Sequence, residues 1–537
     1  MPRDSATTIS PGPAGLLSRL DHSRFTRRHG VIYGTALVGH FLDGFTINLT
    51  GVVLPGVIPA FHLSSKEAGY LSSVLFAGML VGAAVAGAVS DRFGRKVPLA
   101  ICLLVFGGFS VLAACAWDYP SLMTARFCQG IGLGAEIAVV LPYITEFVPA
   151  RHRAPLVTSA TAAWLIGLPV AAVVGAALVP ALSWRAMFVV GTVPVLISLV
   201  ILAVLPESVR YLLRRGRLDA ARDVVDSLAV EPPASARTEA STRAEPSAAA
   251  TVTASAPAAP RAAGHDTVLP EEEGSSRSSA GSVFRLLAAR YAPFTLSLWF
   301  MELCAGAFLY GLSTWLPSIL EKRGNSLLGS LTYTAIITAT GVVGALLAGH
   351  LASRIGRRLT IGLSFVLSGV FCLLWGAVDS TGAVVLLGCC ATFFGSGLAG
   401  STLFVYASEL YPTVNRATGL GWAAAWQKAG GLIIPTVIGW ILAAHAPGYT
   451  FFVLFAGVSV LAGISGLLVT FETRGRTVEQ ITADIAARSG IRPGAPLPAS
   501  ATAGASHGAR TASPTLATDL SAPEPTAPYD PEQAGEG

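Results

Sequence analysis

Long apolar runs separated by short polar turns fill most of this chain. Twelve runs reach the roughly 20 residues that a helix needs to cross about 30 Å of hydrocarbon. They cover 31–59, 68–90, 98–116, 121–148, 156–180 and 186–205, then 291–320, 327–352, 358–378, 382–411, 415–444 and 449–471. Several end at a proline, as at Pro98, Pro120, Pro206 and Pro412, where a helix is readily started or stopped. The pattern breaks after the sixth run. Residues 206–230 predict short amphipathic helices carrying Arg210, Arg214, Arg215 and Arg217. Residues 231–282 are rich in Ala, Ser, Thr, Pro and Glu, a composition with too little apolar surface to fold. Residues 488–537 read the same way, as a disordered tail.

The two sets of six runs repeat one another. Gly82, Gly87, Arg92, Gly94, Arg95 and Lys96 each find a partner 262 positions on, at Gly344, Gly349, Arg354, Gly356, Arg357 and Arg358. Glu146, Pro149 and Arg153 match Glu409, Pro412 and Arg416 at an offset of 263. Two landmarks with nearly one period indicate a duplicated unit. The predicted fold is therefore an all-α membrane protein, with twelve transmembrane helices in two six-helix halves. Its organisation is an N-terminal segment 1–30, a half at 31–205, cytosolic helices and linker at 206–290, a second half at 291–471 and a tail at 472–537.

Composition agrees with lipid as the solvent. Mean hydropathy is +0.61 and only 12% of residues are charged, against about 25% in soluble domains. Lysines and arginines then set the orientation. Arg92, Arg95, Lys96, Arg151, Arg153, Arg354, Arg357, Arg358 and Arg416 fall on one side with the basic N-terminal segment; the opposite loops carry Lys66, Arg185, Lys322 and Arg323. The first side is expected to be cytosolic, with both termini there, in the plasma membrane of a bacterium. The first thirty residues lack the apolar core of a cleaved signal. The net charge of +5 is small and shows no nucleic-acid face. The seven cysteines lie in apolar runs without metal spacing and read as small buried hydrophobes. No cofactor is expected: there is no phosphate-cradling loop and no nucleophile–base constellation, so neither ATP-driven transport nor an enzyme is indicated.

The informative residues are charges inside the apolar runs. Each costs about 2.5–3.5 kcal/mol on insertion scales and so marks function. Asp43 lies mid-run with His40 on the same helix face. A carboxylate out of water favours its neutral form, which suits a proton carrier; a structural hydrogen bond is the alternative. His40 would relay, or simply pack. Arg126 and Glu136 share a run with a small-residue face at Gly130 and Gly134. They suit proton coupling, or neutralise each other. Glu302 is taken as the second-half equivalent of Asp43, a further proton-coupling candidate. Lys428 sits too far inside its run for its stem to reach water easily. It needs an anion, either an acidic side chain or a substrate. With Gln427, Trp426 and Trp422 beside it, and Arg126 and Tyr310 as further candidates, a small ring-bearing carboxylate is indicated. Asp91, Arg92, Arg95, Glu146, Arg153, Arg354, Arg357, Glu409 and Arg416 cluster at the cytosolic rim and are candidates for a gate that latches the halves together.

At these residues the chain resembles the major facilitator superfamily, over about 31–205 and 285–485. The stretch from Gly87 to Lys96 is similar to the family's loop motif after helix 2. Arg126, Gly130, Gly132, Gly134, Glu146, Pro149 and Arg153 resemble its helix 4 motif in sugar porters and organic-ion transporters. Pro206-Glu207-Ser208 and Phe471-Glu472-Thr473-Arg474-Gly475-Arg476 resemble the motifs after helices 6 and 12. Leu42-Asp43-Gly44-Phe45 is similar to the helix 1 signature of aromatic-acid:proton symporters, with Thr46 where a second aspartate is usual. Gly311 to Pro317 and Ser408 to Thr413 look like nicotinate and related organic-acid transporters, which often place an arginine near Lys428. The resemblance implies a monomeric secondary transporter whose halves are related by an axis along the membrane normal, with a midplane site. The expected function is proton-coupled uptake of a small organic acid by alternating access, with membrane lipid and protons as the other partners. A sugar or polyol porter is the rival. An efflux antiporter or a non-transporting receptor fits less well.

Overall fold

A computed structural model describes residues 12–228, 286–287, 291–411, 413–476, 480–481 and 484–485. The linker expected at 231–282 and the tail expected at 488–537 lie outside these residues. In the first half the helices are α1 (Pro13–Asp21), α2 (Arg27–Ala60), α3 (Ser65–Phe93), α4 (Lys96–Ala114), α5 (Tyr119–Phe147), α6 (Ala150–Ala181), α7 (Trp184–Val190), α8 (Val193–Val204), α9 (Val209–Arg214) and α10 (Leu218–Leu228). The second half contributes α11 (Ala292–Lys322), α12 (Leu327–Ile355), α13 (Arg357–Gly376), α14 (Thr381–Thr392), α15 (Ser401–Leu410), α16 (Thr413–Ala443) and α17 (Thr450–Val469). Eleven spans among the described residues are long and apolar enough to cross a membrane. The remaining helix, α16, eleventh of the twelve in chain order, has the length but carries Gln427 and Lys428 in its middle.

Local chemistry fixes the helix ends. Capping boxes start α2 at Thr26 and His29, α3 at Ser64 and Glu67, and α5 at Asp118 and Ser121. The basic turns after α3 and α12 need a left-handed glycine: Gly94 has φ 92° and Gly356 has φ 96°. A carboxylate then caps the helix that follows. Glu207 accepts the Arg95 and Lys96 backbone N–H groups at 2.7 and 3.2 Å. Glu472 accepts those of Arg357 and Arg358 at 2.9 and 3.2 Å. An anion at a helix N-terminus is favoured by the helix dipole.

Three features depart from the expected runs. The sixth is split at Gly191-Thr192 into α7 and α8. The tenth is interrupted by a π-helical stretch, Phe393–Gly400, containing Gly395, Gly397 and Gly400. The N-terminal segment is not merely polar: α1 buries Leu16 and Leu20 beside α10, and Arg19 pairs with Asp226 at 2.9 Å. The cysteines are free, and Cys115 is exposed at the end of α4 rather than buried.

The halves meet away from the basic turns. There Ser73 and Thr436 hydroxyls lie 2.8 Å apart, and the Trp440 indole N–H donates to Tyr70 at 3.1 Å. Glycines set the closeness: a Cβ on Gly69 would stand 2.8 Å from the Pro435 carbonyl oxygen. On the basic side a cavity of about 140 Å3 opens between the halves.

Candidate functional site

Close backbone approach brings the site's side chains together. Helices α2 and α6 interlock at Gly44 and Gly167, where added Cβ atoms would stand 2.9 Å from the Trp164 carbonyl carbon and 2.5 Å from the Phe45 nitrogen. This sets Trp164 against Asp43, whose Oδ2 accepts the indole N–H at 2.6 Å. Helices α11 and α16 repeat the device at Gly306 and Gly430, where Cβ atoms would stand 2.7 Å from the Gln427 carbonyl carbon and 2.6 Å from the Ala307 nitrogen. Gly44 and Gly306 are 262 positions apart, Gly167 and Gly430 263. Trp164 and Gln427 are therefore counterparts, at 263. At 262, Glu302 stands in the place of His40, and Asp43 corresponds to Ala305. The expected equivalence of Glu302 with Asp43 is thus off by one helical turn.

The first half supplies an acidic cluster. His40 Nδ1 lies 3.2 Å from Glu136 Oε2. His40, Asp43 and Glu136 are all buried, with one ligating atom of each within 4.8 Å of the others. Among the described residues, Asp43 Oδ1 and Glu136 Oε1 are buried without a hydrogen-bond partner. The trio's spacing would also admit a small cation, but the Lys428 ammonium is already a positive charge acting on Asp43.

The second half supplies a polar chain. Lys428 Nζ donates to the Tyr310 hydroxyl. Tyr310 donates to Gln427 Oε1 at 3.3 Å, and Gln427 Nε2 donates to Glu302 Oε2 at 3.3 Å. The ammonium feels both Asp43 and Glu302. Among the described residues, however, no carboxylate lies within the 4.0 Å of an ion pair with it. It stands 4.8 Å from the Tyr310 ring centroid and 5.5 Å from that of Trp164. His40, Trp164, Glu302, Gln427 and Lys428 line the cavity, whose remaining wall is mostly apolar, including Ile137, Leu165, Leu309 and Phe404. The π-helical stretch and the turn after it add Ser396, Gly400 and Ser401.

Other expected residues lie elsewhere. Trp422 and Trp426 do not line the cavity; they pack on Trp299, with centroids 5.6 and 5.8 Å away. They occupy an i, i+4 stripe beside the one that holds Ala424 and Lys428. Arg126 is buried inside the first half and does not meet Glu136. It donates to Gln129 at 2.5 Å and to the Thr50 hydroxyl, and lies over Phe188. Trp164 and the π-helical stretch were missed. A tryptophan in an apolar run is ordinary, and the cue at Phe393–Gly400 was only the spacing of its glycines.

At the rim, charges pair within each half. Arg95 reaches Glu146 at 3.5 Å and Asp91 at 3.8 Å. Glu146 also accepts the Ser208 hydroxyl, and Arg153 pairs with Asp21. Arg92 lies over Phe93, and its carbonyl accepts from Tyr211 at 3.2 Å. Arg357 binds Glu409 through two nitrogens at 3.1 and 2.8 Å. The Arg354 carbonyl accepts from Arg474, and the Arg416 Nε is buried without a partner among the described residues. The repeated glutamates, Glu146 and Glu409, one helix away from Arg153 and Arg416, thus pair with Arg95 and Arg357.

A family model described as Major Facilitator Superfamily matches residues 36–435. The niacin transporter NiaP of Acinetobacter baylyi is 28% identical over 466 residues, covering 87% of this chain and 99% of that protein. The 4-hydroxybenzoate transporter PcaK of the same organism is 28% identical over 393 residues, covering 73% and 80%. Among solved structures, the inward-open conformation of the xylose transporter XylE from E. coli superposes with a TM-score of 0.64 at 18% identity, covering 85% of this chain and 99% of that one.

Proposed function

We propose, for a chain that belongs to the Major Facilitator Superfamily, proton-coupled uptake of a small aromatic carboxylate by alternating access. The protein is a multi-pass membrane transporter and not an enzyme. One observation carries the substrate class: a buried ammonium, Lys428, held by a hydroxyl and ring faces beside an apolar cavity, with no carboxylate at ion-pair distance among the described residues. A buried cation of this kind needs an anion. A benzoate- or nicotinate-like ligand supplies the carboxylate for Lys428 and Tyr310 and a flat ring for the apolar wall. The names of the curated relatives, niacin, 4-hydroxybenzoate and benzoate transporters, support the same class. A sugar would leave the ammonium without a carboxylate at ion-pair distance.

The coupling follows from charge. Asp43, Glu136 and Glu302 already face Lys428 and His40 in a region poor in water. A substrate carboxylate adds another negative charge there, and a proton on the Asp43–Glu136 pair offsets it. By the lysine and arginine asymmetry the open side is cytosolic, so this cleft is the release state. Loss of the proton restores the full negative charge and expels the anion. The rim pairs would exchange partners as the halves rock.

The test is uptake into proteoliposomes with benzoate, nicotinate and 4-hydroxybenzoate. Asp43→Asn is expected to abolish accumulation driven by a pH gradient while keeping exchange of labelled for unlabelled acid. Lys428→Gln is expected to reduce both by roughly tenfold or more. Gradient-driven uptake left intact in Asp43→Asn would refute the coupling. Undiminished exchange in Lys428→Gln would refute the anion site.

A further inference from the structure

We infer that Trp164 is the residue that joins the two ends of the site, fixing Asp43 with its indole N–H and holding Lys428 on its ring face. The inference rests on the transport reading above and assigns the linkage within it to one side chain. Trp164 is on α6 of the first half and Lys428 on α16 of the second, so their contact crosses the cleft. The N–H to Oδ2 distance of 2.6 Å is short for a hydrogen bond to a carboxylate. The indole is 9% exposed, and what remains exposed lies among the residues that line the cavity. Its backbone is clamped by Gly44 and Gly167, which leaves little freedom to move away from Asp43.

Each part of the side chain has its own consequence. The N–H occupies one oxygen of Asp43 and leaves Oδ1, unpartnered and buried, as the atom that takes the proton. Hydrogen bonding to a carboxylate favours its charged form, so the indole contributes, after burial and the neighbouring charges, to the pH at which Asp43 loads. The groups that share this control are His40 on the same helix, Glu136 on α5 and Lys428 on α16. The ring face attracts the ammonium by its quadrupole and keeps Nζ at the cavity, away from a closer approach to Glu302. A carboxylate entering the cavity then finds the cation presented, and its aromatic ring finds the rest of the indole face.

Two substitutions separate these roles. Trp164→Phe keeps a ring and removes the donor. Its half-saturating benzoate concentration in exchange should stay within about twofold, while the pH of half-maximal uptake moves alkaline by about half a unit or more. Trp164→Gln keeps a donor and removes the ring. Its pH profile should stay in place while half-saturation rises roughly fivefold. A wild-type protein that transports none of the three acids overturns the parent reading and this inference with it. With a transporting wild type, equal changes in both quantities for both variants, or no change in either, overturn the inference alone. If Trp164→Gln does not elute as a single species, the folded Trp164→Phe decides: an unmoved pH profile overturns the assignment.

Discussion

Single charges dominate at the scale of residues, because burying one is costly enough that the chain keeps it only for a reason. Asp43, Glu136, Glu302 and Lys428 stood out in the sequence on that ground; the structure buries all four, with Glu302 and Lys428 on the cavity wall and Asp43 and Glu136 clustered with His40 behind it. Trp164 was not legible, since an aromatic residue in an apolar run costs nothing and its importance lies in which helix it faces. The same reason misplaced Trp422 and Trp426: adjacency to Lys428 along the chain is a different direction around the helix. Mutation of these residues should separate the two kinds. Trp422→Phe, at an exposed position off the cavity wall, should change benzoate half-saturation by less than about twofold. Glu302→Gln removes one of the two carboxylates acting on Lys428. It should lower half-saturation severalfold and slow the maximal rate, because the anion then leaves a less satisfied cation. Both follow from initial rates of exchange in proteoliposomes.

The elements owe their positions to paired glycines. Gly44 with Gly167 and Gly306 with Gly430 are repeat counterparts, and each lets a helix backbone rest against its neighbour. Gly44→Ala should therefore force α2 from α6 and lower the detergent-solubilised unfolding temperature, with overpacking of this kind costing about 1–3 kcal/mol. Gly87→Ala, where nothing lies within 4 Å of an added Cβ, should leave that temperature unchanged and serves as the control. The twelve-run pattern and the repeat offset made the elements themselves readable. The split between α7 and α8 and the π-helical stretch were not, because both keep an apolar composition while changing only how the backbone winds. Their cues were small residues, which mark close packing as often as a change of helix type.

The molecule as a whole is asymmetric in chemistry though doubled in fold. At the offset of 263, Arg126 and Glu136 correspond to Cys389 and Ala399, so the second half has lost the charged helix 4 of the first. On the function proposed above, protons would be handled in one half and the anion in the other, and transport would need both to act together. That cleft is open on one side because the halves are joined on the other. Ser73→Cys with Thr436→Cys, in a background lacking the native cysteines, should form a bond that stops uptake and is reversed by a thiol reductant. Transport undiminished by a verified cross-link would mean that this seam does not part. Among the described residues the seam is closed by hydroxyls, an indole and bare backbone, without an ion pair. Dissolved electrolyte therefore has nothing to screen there, and the external mouth should open as readily in brine as in dilute medium, whereas raising salinity inside the vesicles should alter the rate through the arginine–glutamate pairs.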